Sequence, residues 1–225
     1  LKNTLICFTI ILSSVIIYLS GERTIFFISL IYFLFILLIF FYKKFYLLSI
    51  SILIVTSLLF ANMNERIFNS FKFKTQNDNE IHSTFTVYKD LYSTSLNMFY
   101  EKKFFGQGVQ TFKKKCNEKK YLSGRFGCSS HPHNYYFQIL AENGIIGLII
   151  FLSLMLLLLK DFYNVFVKWF KSRKNQYYLA QLILLMNIII TFLPFIPTGN
   201  FYSSMTGVFI FSKIAIYLGL KSNQR

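Results

Sequence analysis

The sequence predicts an all-α polytopic membrane protein with about six transmembrane helices and one long outward-facing loop, and three observations carry that reading. Hydrophobic residues make up 54% of the 225 and aromatic residues 20%, with Phe, Leu and Ile gathered into long blocks rather than dispersed as in a soluble core. Apolar runs long enough to cross a hydrocarbon layer of roughly 30 Å recur along the chain. The strict alternation of barrel strands is missing, and backbone in lipid must satisfy its own hydrogen bonds, so the runs read as helices.

The runs fall at 5–19, 24–42, 45–61, 135–159, 177–193 and 204–220. They divide the chain into three transmembrane helices over 1–61, an outward loop with a short amphipathic helix over 62–132, and three further transmembrane helices over 133–225. No small-residue cleavage site follows the first run and a second span starts at once, so it is a retained span and not a signal peptide. The chain begins with Leu1 and not Met, which fits a non-standard start codon or a truncated fragment.

Orientation follows from the short loops. If the chain alternates, one side collects Lys2, Lys43, Lys44, the cluster Lys160, Lys168, Lys171, Arg173 and Lys174, and Lys221 and Arg225, whereas the opposite short connections carry only Arg23. The lysine-rich side is cytoplasmic by the positive-inside rule, and 62–132 faces outward. That loop has 12 Lys/Arg against 6 Asp/Glu, but loops of its length are translocated largely regardless of charge. The net charge of +15 is therefore explained by topology and by an outward loop, and nucleic acid is set aside as a partner.

Within the loop, the polar stretch 72–80 reads as a mobile linker, and 84–100 as an amphipathic helix whose stripe is Val87, Leu91, Thr94 or Ser95, and Met98. Gly106 and Gly108 then permit a tight turn; a phosphate-binding role would need the Gly-Lys-Ser/Thr sequence that is absent. Cys116 and Cys128 lie outside the cytoplasm, where they either pair in a disulfide or stay free thiols, while Cys7 is in the first span. The prolines Pro132, Pro194 and Pro197 all sit at outward helix ends.

The chemistry gathers at that outer face. His131-Pro132-His133-Asn134 opens the fourth span; Pro132 suits a first helical turn, whose outward N–H groups would make an anion site. Asn134, Gln138 and Glu142 recur every four residues as one polar ridge, and His133, Phe137, Ala141 and Gly144 as the next. Glu142 needs a partner, expected on a neighbouring helix, and Gly144 and Gly147 offer a close helix approach. The competing structural reading has the histidines capping the loop and Glu142 paired for packing. Arg23, in "LSGERTIFF", is either a snorkelling anchor or a phosphate ligand at headgroup depth. No Asp-x-Asp, His-Glu-x-x-His or Gly-x-Ser-x-Gly occurs, and neither metal nor cofactor is expected.

"GQGVQTFKKKC" followed by "CSSHPHNYYFQILAENGIIGLIIFL" resembles the signature region of the bacterial O-antigen ligase and Wzy-type O-antigen polymerase superfamily, and "SGERTIFF" resembles its arginine motif at a periplasmic helix start. The resemblance spans residues 20–152 in the right order. It implies glycosyl transfer at the periplasmic face of the inner membrane, from a glycan on undecaprenyl pyrophosphate to a sugar hydroxyl of a glycan or lipid A-core acceptor. It also implies His133 as general base or acceptor-orienting residue, Arg23 as pyrophosphate ligand, and His131, Asn134 and Glu142 in support. Where the family often carries a second arginine, this chain has Tyr88-Lys89-Asp90, so Lys89 would supply charge without a bidentate fork. The family usually has about twice as many spans, which makes this chain similar to a carboxy-terminal half. The cysteine-flanked loop ending in HPHN resembles the polymerase branch. The alternatives are a transporter or flippase for the same lipid-linked glycan, which would want charged residues at mid-membrane in several helices, and an inactive remnant.

Overall fold

The structure, a computed structural model, describes residues 12, 16, 28, 29, 31, 32, 35, 72–74 and 81–222, apart from 174 and 195. The chain divides into two compact units, Leu1–Ile81 and His82–Arg225. In the first, Leu12, Ile16, Ile28, Ser29, Ile31, Tyr32 and Phe35 are helical, and Leu12, Ile16 and Ile31 expose their side chains as lipid-facing residues do. The apolar runs expected over 5–61 otherwise lie outside the described residues. Strand β1 (Lys72–Lys74) pairs with β2 (Ile81–Ser83), so the stretch expected to be a mobile linker begins as a strand.

The second unit opens with α1 (Thr84–Glu101), the amphipathic helix expected over 84–100. Ser83 caps it, its hydroxyl accepting from Thr86 N–H at 3.2 Å. The expected stripe is the buried face: Leu91, Thr94, Ser95 and Met98 are all buried. Leu91 and Met98 of this stripe form a small core with Phe112, Cys116, Tyr121 and Ala141, against which Val87, Tyr92 and Cys128 pack. Phe112 belongs to the one-turn helix α2 (Phe112–Lys115).

The segment after α2 is tied down at both ends. Cys116 and Cys128 are joined in a disulfide, and between them the backbone is held by α1 side chains. Asn97 Nδ2 donates to Tyr121 O at 2.9 Å, Ser123 N–H to Thr94 Oγ1 at 3.0 Å, and Phe126 N–H to Asp90 Oδ2 at 3.1 Å. A loop that satisfies its backbone this way is folded structure and not a flexible cover.

Three apolar helices follow: α3 (Tyr135–Lys171), α4 (Gln176–Thr191) and α5 (Ser204–Ser222). Among the described residues α3 and α5 are long and apolar enough to cross a membrane, and α4 is apolar but shorter. Helix α3 is interrupted at Gly144, and at about 1.5 Å per residue the stretch from 145 to 171 alone runs to roughly 40 Å, beyond a hydrocarbon layer of about 30 Å. The helix therefore does not stop at Leu159 with the apolar run; it continues through Lys160, Lys168 and Lys171. There Asp161 ties α3 to α5, accepting from Tyr217 Oη at 2.8 Å and Lys221 Nζ at 2.6 Å.

Candidate functional site

The centre of the site is a break in α3. Gly144 has φ +67° and ψ −163°, which is not helical, so the bonds that an unbroken helix would form from Ile145 N–H to Ala141 O and from Ile146 N–H to Glu142 O are not available. The loop before α2 supplies all four partners. Lys103 O and Phe104 O accept from Ile145 and Ile146 N–H at 2.8 and 3.3 Å, while Gln107 and Gly108 N–H donate to Ala141 O and Glu142 O at 2.9 and 2.8 Å. A strand of loop is thus spliced into a membrane helix, and these four freed backbone groups keep partners.

This explains the glycine pair. A Cβ on Gly106 would stand 2.4 Å from Glu142 C, and one on Gly144 would stand 2.3 Å from Phe104 O. Gly106 at φ +66° and Gly108 at φ +104° do make the expected turn, and Gly106 in addition lets the loop reach the helix backbone. Gly144 accepts this loop rather than another helix, which corrects the helix-packing role expected for it.

Glu142, fully buried, holds the same loop from the side. Its Oε1 accepts from Phe112 N–H at 2.8 Å and its Oε2 from Gln110 N–H at 3.0 Å. Its partners are therefore backbone amides of the loop at 110–112 and not a side chain on a neighbouring helix. Gln138 Nε2 lies 3.5 Å from Oε2 and donates at 2.8 Å to Asn200 Oδ1, while Gln138 Oε1 accepts from Phe201 N–H at 3.0 Å. Tyr202 Oη donates to Asn143 Oδ1, and its hydroxyl is pushed well above the usual range by burial and then by the Glu142 charge.

Asn134, at the top of the ridge, is the N-cap of α3. Its Oδ1 accepts from Tyr136 N–H at 2.9 Å and Phe137 N–H at 3.3 Å, and its Nδ2 donates to Pro194 O at 2.6 Å. Helix α3 thus starts at Tyr135, after Pro132 rather than with it, and two amides of its first turn are taken by Asn134. The anion site expected from those N–H groups is to that extent already filled.

The polar ridge is a scaffold, and what it presents is His131 and His133. His133 adopts φ +57°, a left-handed conformation uncommon for a side-chain-bearing residue. Its carbonyl accepts from Thr198 N–H at 2.9 Å, and His131 Nε2 lies 3.2 Å from Thr198 O, so the α4–α5 connection holds both residues. The two rings are 4.1 Å apart at their centroids. Tyr88 of α1 stands edge-on to His133 at 6.3 Å, and Tyr92 stacks on Phe137 at 4.2 Å. Partial burial pulls both imidazoles below the ordinary histidine value, and the proximity of His131 lowers His133 further, against the Thr198 backbone bond that raises each. Both shifts favour the neutral ring.

The structure thus brings His131, His133, Asn134 and Glu142 into one assembly. Lys89 is exposed on α1 beside Tyr88, Arg23 lies outside the described residues, and Cys116 and Cys128 brace the loop. Among the described residues no group of three or more His, Cys, Asp or Glu is placed to hold a metal. Sequence reasoning missed Tyr92, Thr198, Asn200 and Tyr202, and named Tyr88 only beside Lys89 without a role. The signals were the i, i+4 tyrosine spacing beside the α1 stripe and the polar "PTGN" between two apolar runs.

A family profile described as O-antigen ligase matches residues 8–152, and the chain belongs to that family. No curated protein and no solved structure matches the chain. With its apolar helices, that membership makes this a membrane protein of O-antigen ligase or polymerase type, a glycosyltransferase-like enzyme acting on lipid-linked glycan and acceptor substrates.

Proposed function

We propose that this O-antigen ligase family member transfers a glycan from undecaprenyl pyrophosphate to a sugar hydroxyl at the periplasmic face of the bacterial inner membrane, as an O-antigen polymerase or a ligase to lipid A core. The observation that carries the reading is the histidine pair: two imidazoles 4.1 Å apart at their centroids, both residues tied to Thr198 where α3 leaves the folded loop. A neutral imidazole there can accept a proton.

In the proposed reaction His133 takes the proton of the acceptor hydroxyl as that oxygen attacks the anomeric carbon. The bond from that carbon to the pyrophosphate oxygen breaks, and undecaprenyl pyrophosphate leaves with the electron pair. Arg23 and Lys89 are assigned to the developing charge on the diphosphate. His131 orients the His133 ring, and Glu142 and Asn134 act through backbone, fixing the loop and the start of α3. The diphosphate is a good leaving group and the proposal needs no metal. Loop 62–132 covers the donor head group in this reading, and its excess of Lys and Arg attracts the anionic lipid. The loop and the three spans on either side of it, 1–61 and 133–225, make up the proposed topology.

The test is complementation. The complete reading frame encoding this chain is expressed in a strain lacking its own enzyme, and surface glycan ladders are compared for unaltered, His133→Ala and Arg23→Ala proteins at matched membrane levels. Loss of polymer in both variants is expected. Normal glycan from either one removes that residue's role, and normal glycan from both leaves the histidines as loop caps.

A further inference from the structure

Residues 102–105 serve the helix break through their backbone alone, and the side chains of Phe104 and Phe105 stand out from it. Phe104 is 69% exposed and Phe105 77%, and Val109 just beyond is 52% exposed. On a loop in water such a cluster would be an unexplained apolar patch. Its position is not that of an ordinary loop, however, because Lys103 O and Phe104 O are hydrogen-bonded to Ile145 and Ile146 N–H. Those are the first residues of the part of α3 whose Ile149, Ile150, Leu154 and Leu156 are more than half exposed, as lipid-facing residues are.

The splice therefore fixes the depth of the loop. Whatever level of the bilayer Ile145 and Ile146 reach, the backbone of 103 and 104 shares it, and the Phe side chains extend the apolar surface of α3 sideways. Lys102 and Lys103 are both exposed, and their ammonium groups suit lipid phosphates at that level while the stems lie along apolar surface. Gly106 turns the chain back, its N–H donating to Lys102 O at 2.9 Å, so the two phenylalanines form the tip of the turn.

We infer that the tip at 102–105 is a membrane-inserting wedge: Phe104 and Phe105 sit among the upper acyl chains of the leaflet on the loop's side, with Lys102 and Lys103 at the phosphates. The occupant is the phospholipid bilayer itself, argued from continuity with the lipid-facing side of α3 and from the paired lysines. The wedge holds the folded loop, and with it α1 and the histidine pair, at the membrane surface. The inference rests on α3 crossing the membrane and not on the transferase chemistry proposed above.

The 225-residue chain has one tryptophan, Trp169, so that chain carrying Trp169→Phe and Phe105→Trp reports from the tip alone. It is reconstituted into phosphatidylcholine and phosphatidylglycerol vesicles. Its emission is measured with phospholipids brominated at shallow acyl positions, about 5–10 Å below the headgroups, and separately with iodide on both sides. Stronger quenching by bromolipid than by iodide, with a blue-shifted emission, is the expected result. Iodide quenching as strong as or stronger than that of bromolipid places the tip in water and overturns the wedge. Protection from both quenchers overturns it too, since another part of the protein then covers the tip. Phe104→Trp in the same background repeats the test should the first variant fail to fold.

Discussion

Replacing Glu142 with alanine removes the acceptor of two loop amides. Phe112 N–H is buried with its residue, and a buried amide left without a partner costs about 1–3 kcal/mol. Gln110 is exposed, so its N–H can turn toward water and adds only about 1 kcal/mol, at the low end of the same range. Glu142→Ala is therefore expected to loosen the loop by about 2–4 kcal/mol. Glu142→Gln keeps one carbonyl oxygen, satisfies one amide and turns its NH2 toward the other, so about half of that loss remains. The assay is amide hydrogen exchange of the detergent-solubilised protein, read at peptides covering 105–112 and, as a reference, 84–100. Each 1.4 kcal/mol is a tenfold loss of protection if the loop opens locally. The expected signature is faster exchange at 105–112 in the order Ala, Gln, unaltered, with α1 less affected. Unchanged protection at 105–112 in Glu142→Ala refutes the view that this carboxyl group holds the loop to the helix break.

The glycines make a sharper version of the same case. Gly106→Ala and Gly144→Ala each put a Cβ within 2.4 Å of backbone at positive φ, and each should destabilise by upwards of about 1–3 kcal/mol, seen as a lower midpoint of thermal unfolding. Reducing the Cys116–Cys128 bond, or replacing both with serine, releases a crosslink of sequence separation 12, worth ~3 kcal/mol in a chain-entropy account and measurable as faster proteolysis between the two positions. The pH prediction has a definite sign. Both histidines are bases whose folded values lie below the unfolded one, near 6.5, so their contribution to stability is whole above that value and is lost as pH falls below it toward the folded values. If neutral His133 is the base, transfer holds through pH 6.5 and declines only at lower pH. His131→Ala removes a neighbouring charge and some burial, and shifts that acid limb upward, as followed by a pH–rate profile of glycan transfer.

Several parts of this arrangement were legible before any coordinates. The α1 stripe of Leu91, Thr94, Ser95 and Met98 follows from helical spacing alone, because a surface helix has to bury its apolar side. The ridge Asn134, Gln138 and Glu142 is legible for the same reason, and so is the turn at Gly106 and Gly108. What could not be read was which partners these groups take. A four-residue period says that Glu142 lies below Gln138; it does not say that the donors are Gln110 and Phe112 N–H, thirty-two and thirty residues earlier. Main-chain amides carry no sequence signature, so a partner sought among side chains was sought in the wrong class of group.

The sequence by itself determined that the chain is a membrane protein, that its polar chemistry gathers at one end of a long apolar helix, and which family it belongs to. The first two are written in composition and periodicity, which act residue by residue, and the family is written in its motifs. Only the tertiary structure decided that α3 breaks at Gly144, that the loop at 103–108 replaces two helical hydrogen bonds, and that Tyr88 and Thr198 frame the histidines. A helix can break in an apolar setting only if other backbone arrives to satisfy the freed groups, and whether it arrives is a property of the whole fold.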